Sequence, residues 1–240
     1  MTDPRTMTPR WPAPALLIGG ASVPPREGGR LQLTNPATGE KLPEAPAAGP
    51  ADVDAAVRAA REAFDTGPWP RMNASARGRL LRKLADGLWE RREEFALVES
   101  LNNGKTFREA VSGDVAPGAA TLAYAAEWAN KFLGEVVPVD GPFLTYVVRE
   151  PVGVVAAIVP WNYPTSLACW KLGPALATGC TVVLKPSELT PYTAMKLGEL
   201  AREVGIPDGV LNVLPGEGGP AGEALARHPG VDKVAFTGSV

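Results

Sequence analysis

The chain has 240 residues, 45% hydrophobic and 21% charged, a globular composition with length enough for a sizeable core. Lys and Arg number 24 against 26 Asp and Glu, so the net charge of −2 gives no basic excess for nucleic acid or a membrane surface. Two cysteines, Cys169 and Cys180, supply neither a disulfide framework nor a metal-ligand spacing, and no stretch approaches the ~20 apolar residues of a membrane span. A cytoplasmic protein without a metal is expected.

The first dozen residues carry charge and proline and read as a loose tail. The apolar stretch Ala15 to Ile18 is too short for a signal-peptide core. L-L-I-G-G-A and L-Q-L-T-N-P-A-T-G-E read as short extended pieces with N-P and T-G turns. Asp52 reads as the N-cap of a helix on which Val53, Ala56, Val57, Ala60 and Phe64 recur. T-G-P-W-P ends that helix. A second covers about 75–92, with Leu81, Leu84 and Leu88 on one face. Helical pieces continue to about Leu133, with breaks expected at N-N-G-K and A-P-G.

V-V-P-V, a turn at Asp140-Gly141-Pro142 and F-L-T-Y-V-V-R then read as a β-hairpin. A lone hairpin is marginal, so its exposed edge is expected to pair elsewhere, with another subunit as one candidate. From Val152 strands and helices alternate: V-G-V-V-A-A-I, a helix over 165–177, T-V-V-L, a helix over 192–204, V-L-N-V-L, a helix over about 220–227, and K-V-A-F. The strands are short, apolar on both faces and β-branched, as in a parallel sheet covered by helices. Four strands and three crossovers make a doubly wound α/β unit, which binds ligands at the carboxyl ends of its strands.

Those ends read P-W-N, K-P-S-E, P-G-E-G-G and T-G-S. In K-P-S-E, Glu188 can accept from a ribose diol, Lys185 can donate to the same oxygens, and the carboxylate disfavours a 2′-phosphate. The competing reading is a solvated turn in which Ser187 or Glu188 opens the next helix. In P-W-N, the Asn162 amide suits a developing oxyanion and the Trp161 indole a phosphate. A tight turn with Asn162 capping a helix fits equally. T-G-S suits a pyrophosphate but is also a common turn, and G-x-G-x-x-G is absent after the first strand. G-E-G-G-P-A-G, from Gly216 to Gly222, suits an adenine wall or a plain strand-to-helix loop.

E-P-V-G-V at Glu150, P-W-N-Y-P at Pro160, W-K-L-G-P-A-L-A-T-G-C at Trp170, K-P-S-E-L-T-P at Lys185, G-I-P-D-G-V-L-N-V-L-P-G at Gly205 and V-D-K-V-A-F-T-G-S at Val231 together resemble the NAD(P)-dependent aldehyde dehydrogenases. The resemblance covers Leu17 to Val240. It implies an α/β fold: a Rossmann-like doubly wound parallel sheet, N-terminal helices, a protruding oligomerisation hairpin, and incompleteness at the C-terminus. The implied division is 1–135 as the N-terminal part of the cofactor-binding domain, 136–150 as the hairpin, 151–240 as the NAD-binding segment, and no catalytic domain. The implied cofactor is NAD, with NADP as the alternative; the implied partners are an aldehyde and further copies of the chain. Asn162 is similar to the oxyanion-hole asparagine. Lys185, Ser187 and Glu188 match the adenosine-ribose segment, and Ile158, Pro160 and Trp161 the cofactor path. Gly218, Gly219 and Gly222 match the adenine-side loop, and Phe236, Thr237, Gly238 and Ser239 the start of the pyrophosphate turn. Tyr163 and Trp170 line a tunnel or pack against the helix.

The resemblance puts the nucleophilic cysteine and the general-base glutamate beyond Val240. Cys169 falls in the second turn of a helix, on a face shared with Leu172 and Leu176, and reads as a buried small hydrophobe, as does Cys180. The 240 residues are therefore expected to be the N-terminal half of an aldehyde dehydrogenase, inactive alone, with a truncated sequence, a split gene and a genuinely short protein as the options. The alternatives are a non-catalytic partner subunit and an acyl-phosphate or semialdehyde reductase.

Overall fold

The computed structural model describes residues 2–238. Strands β1 (Leu16–Ile18) and β2 (Ala21–Val23) form a tight hairpin, and β3 (Arg30–Leu31) pairs with β4 (Ala45–Pro46). Helices α1 (Pro50–Asp65), α2 (Ala74–Glu90), α3 (Arg92–Asn103) and the short α4 (Phe107–Glu109) follow. A π-turn over Ala110–Val115 leads without interruption into α5 (Ala116–Trp128). Strands β5 (Glu135–Val137) and β6 (Thr145–Val147) form the expected hairpin, and residues 131–150 are all exposed. The alternating part contains β7 (Val154–Ile158), α6 (Pro164–Thr178), β8 (Thr181–Lys185), α7 (Tyr192–Glu203) and β9 (Leu211–Val213). A π-turn over Gly218–Glu223, α8 (Ala224–Arg227) and β10 (Lys233–Phe236) complete it.

The main sheet has the order β10-β7-β8-β9-β1-β2, parallel from β10 to β9 and antiparallel at β1 and β2. The period of two along each strand sends side chains to opposite faces. Val154, Ala156 and Val183 pack with Val53, Ala56, Val57 and Leu225 of α1 and α8. Val155, Ala157, Val182 and Leu184 pack with Leu172, Leu176 and Leu197 of α6 and α7, behind which α2, α3 and α5 stack. Each fully buried leucine of this kind contributes roughly 1.5–3 kcal/mol. Because β1 joins β9, residues before the hairpin belong to the same sheet as those after it. Among the described residues, no helix is long and apolar enough to cross a membrane, and no cluster of His, Cys, Asp and Glu could hold a metal ion.

Three expectations are corrected. The first dozen residues are docked: Trp11 packs on Tyr192 with ring centres 4.8 Å apart, and the Lys196 ammonium donates to the Arg10 carbonyl at 3.0 Å. Asp52 sits at the third helical position, with Gly49 as N-cap. Its buried carboxylate accepts the N–H groups of Gly49 (3.0 Å) and Arg26 (2.9 Å), which a true N-cap would not reach. A-P-G does not break its helix, because the widened π-turn before it absorbs the N–H that Pro117 lacks and the clash of its ring.

Candidate functional site

The chain runs outward from β7 through β8 to β9, then returns to the other flank of β7 at β10. This reversal is the topological switch point of an open α/β sheet, where connections leave in opposite directions and open a crevice. A cavity of about 980 Å³ occupies it.

All four strand ends contribute. Ile158, Pro160, Trp161 and Asn162 line the cavity after β7, and Lys185, Ser187 and Glu188 after β8. Gly218 comes from the loop after β9, and Phe236, Thr237 and Gly238 from the end of β10. Gly219 does not line it, and Gly222 lies beneath the Lys185 stem, where a Cβ would meet Cδ and Cε at 3.6 Å. Ser239 lies outside the described residues.

Sequence reasoning missed Val159, Ser166, Leu167, Gly113 and Pro117, which also line the cavity. Tyr163, Ser166, Leu167 and Trp170 all line it and recur at intervals of three and four, so the helical period of α6 carries the signal for that face. Gly113 and Pro117 arrive from the π-turn and the start of α5, about fifty residues upstream, and no local pattern marks them. The polar chemistry divides into two groups. The Lys185 ammonium is buried, donates to the Pro186 carbonyl at 2.9 Å and stands 3.7 Å from Glu188 Oε2. Burial pushes its pKa below the usual lysine range, while Glu188 and Glu217 oppose that shift. Glu188 remains 41% exposed and open to a ligand. Neither Ser187 nor Glu188 opens a helix: α7 begins at Tyr192, and the Ser187 hydroxyl instead accepts the Leu189 N–H. The second group is Trp161 and Asn162. Tyr163, not Asn162, precedes α6, and no side chain at that position caps it, so the Asn162 amide is not spent on the helix. A further lysine that the sequence left unassigned, Lys171, donates to the Thr237 hydroxyl at 2.8 Å and ties α6 to the end of β10.

Neither cysteine reaches the cavity. Cys169 is fully buried, and burial, then the nearby Asp114 and Glu99, push its thiol well above the usual range. A thiol so placed has no thiolate to offer at neutral pH. Cys180 is buried at the start of β8. The cavity thus presents an amide donor and an indole on one side and a carboxylate–ammonium pair on another, with a glycine edge at Gly218.

The family model described as the aldehyde dehydrogenase family matches residues 23–240. Aldehyde dehydrogenase 1A1 of Ovis aries is 51% identical over 213 residues, which are 88% of this chain and 42% of that protein. Retinal dehydrogenase 2 of Homo sapiens is 50% identical over 215 residues, 89% of this chain and 42% of that one. A solved NAD+ complex of an aldehyde dehydrogenase from Bacillus cereus matches with a TM-score of 0.92 at 44% identity, over 94% of this chain and 46% of that chain. The chain therefore spans less than half the length of these relatives.

Proposed function

We propose that this chain, which belongs to the aldehyde dehydrogenase family, builds the dinucleotide-binding wall and the oxyanion donor of an NAD-dependent aldehyde oxidation. The observation that carries this reading is the convergence of four strand ends on one cavity at the switch point of the sheet.

The donor set fits a dinucleotide. Glu188 and Lys185 together offer an acceptor and a donor to a ribose diol, and the negative Glu188 favours NAD over its 2′-phosphorylated form. At Gly218 an added Cβ would find nothing within 4 Å, so the protein leaves room there for close approach of a ligand. Trp161, more than half exposed, offers a ring face and an indole N–H on the same wall. Bound NAD supplies the acceptor for the hydride that leaves the substrate. Asn162 donates its amide N–H to the substrate oxygen as negative charge develops on it. The attacking thiol is neither Cys169 nor Cys180; in this reading it comes from outside residues 1–240.

The domain roles belong to the same proposal: 1–135 and 151–240 form the cofactor-binding part, and 136–150 an oligomerisation arm. The exposed Val136, Phe143, Leu144 and Tyr146 on that arm support a contact with a second copy of the chain. A cytoplasmic location is part of the reading. The test is NADH formation from NAD and a panel of short, long and aromatic aldehydes by the protein at the length found in its native source. Asn162→Ala is expected to lower turnover by roughly 100-fold or more, as loss of an oxyanion donor does. Turnover unchanged by Asn162→Ala overturns the role given to that residue, and no NADH from any aldehyde overturns the reading.

A further inference from the structure

The N-N-G-K segment that ends α3 holds the P-W-N turn in place. Asn103 Nδ2 donates to the Trp161 carbonyl at 2.7 Å, and Lys105 Nζ donates to the Asn162 carbonyl at 2.9 Å. Thr190 Oγ1 also reaches the Trp161 carbonyl, at 3.4 Å. Two consecutive carbonyls of the turn are thus drawn towards the end of α3, while Trp161 and Asn162 remain in the cavity wall. Gly104 makes this possible: its φ of +90° ends α3 in the left-handed region and sends the chain back.

The Lys105 ammonium also lies 2.6 Å from Asp114 Oδ2 and 3.3 Å from Glu99 Oε1, and 4.4 Å from the centre of the Tyr163 ring. The Glu99 and Asp114 side chains are fully buried and that of Lys105 is 11% exposed. The other Asp114 oxygen accepts the Ser166 N–H at 2.6 Å, in the first turn of α6, and so caps a helix that has no cap of its own. The other Glu99 oxygen accepts the Thr165 hydroxyl. Burial, and then Asp114 beside it, push the Glu99 carboxyl well above the usual range.

An ammonium has three N–H donors. Here two of them are spent on Asp114 Oδ2 and the Asn162 carbonyl, while Glu99 Oε1 stands 3.3 Å away without a hydrogen bond. Asp114 alone would suffice for a buried ion pair; the second acceptor belongs to the cavity loop. We propose that Lys105 is a positioning residue, which fixes the Asn162 carbonyl and thereby sets where the Asn162 amide stands. Its consequence for turnover rests on the reading of Asn162 as an oxyanion donor; its consequence for the turn does not.

Lys105→Met alone strands a buried carboxylate. The cleaner variant joins Lys105→Met to Asp114→Asn, which removes the opposite charges together and keeps an oxygen for the Ser166 N–H. In the ligand-free protein, hydrogen exchange of the 160–167 segment is expected to quicken at least about tenfold in this variant, since a local tether is lost. Unchanged exchange there overturns the proposal, whatever reaction the protein performs. In turnover, the paired variant is expected to lose about 10- to 100-fold in kcat, as a small misplacement of a reacting group does, with NAD affinity held within about twofold. Placed on Asn162→Ala, the same pair is expected to cost less than about twofold, because residues that act through one another are not additive. Equal losses in both backgrounds would mean that Lys105 supports only the fold. If the unaltered protein oxidises no aldehyde, the proposed function fails by itself and the exchange experiment still decides the positioning role.

Discussion

Glu188→Gln tests the ribose end of the cavity with a change of charge and almost none of shape. Two unit charges 4–6 Å apart interact by ~1 kcal/mol in a water-like medium and by ~3–4 kcal/mol at the effective dielectric of a protein surface. With its side chain 41% exposed, Glu188 belongs near the lower figure. Since ~1.4 kcal/mol is a factor of ten, loss of the carboxylate should move the ratio of NAD to NADP affinity about fivefold towards NADP. Trp161 lines the same cavity, so quenching of tryptophan emission on titration with each dinucleotide gives both constants. The shift should shrink as salt rises, because screening weakens the repulsion that is removed. A ratio that stays within twofold of the original would refute the assignment of Glu188. The neighbouring ammonium supplies a control. Glu188 counteracts the effect of burial on Lys185, so in the variant the Lys185 pKa should fall further below the usual range.

Glu99 ionises near 4.5 in the unfolded chain and keeps its proton to higher pH in the fold. Over that window the folded state binds more protons, so stability is full below 4.5 and falls as pH rises, by up to ~1.4 kcal/mol per pH unit for one group. Glu99→Gln should flatten that fall; equal slopes for the two proteins in urea unfolding, followed from about pH 5 to about pH 8, would refute it. Gly218→Ala should leave the melting temperature unchanged, since the added methyl meets nothing within 4 Å, yet weaken NAD binding severalfold. A drop in melting temperature without a change in NAD affinity would make Gly218 a structural glycine. Cys169 and Cys180 should resist a thiol reagent in the native state and react on denaturation, as buried thiols do. Rapid native labelling of Cys169 would contradict its place in the core.

Strands β7 and β8 were legible because each is largely apolar and buried on both faces, and a strand covered on both sides has little room for any other pattern. Val154 and Ala156 serve α1 and α8 while Val155 and Ala157 serve α6 and α7, so a single run of four letters encodes both layers. The cavity was legible for a related reason: a doubly wound sheet assigns its strand ends to one edge, and polar residues already stood there. What local pattern did not reveal depends on contacts between distant segments. β1 and β2 read as extended pieces, but only β9 tells them that they belong to the main sheet. Pro117 reads as a helix break, and only the π-turn over Ala110–Val115 removes the conflict. The tail looks unattached until Tyr192 and Lys196 receive Trp11 and Arg10.

N-N-G-K shows how one segment can be read correctly and still be understood in part. Its glycine marks the end of α3, and α3 does end at Asn103. The residues on either side of that glycine, Asn103 and Lys105, then take hold of two consecutive carbonyls nearly sixty positions further on. A left-handed C-cap requires only a glycine; nothing in helix termination asks for a buried ammonium after it. Burying a lysine is costly unless its donors are met, and here Asp114 of the π-turn shares that task with the Asn162 carbonyl. Helix termination alone accounts for the glycine and leaves the charge unexplained. The buried Asp114 gives a reason for an ammonium there, and the proposed hold on the P-W-N turn gives a reason for its other contact, because from the end of α3 one ammonium reaches both Asp114 and the Asn162 carbonyl.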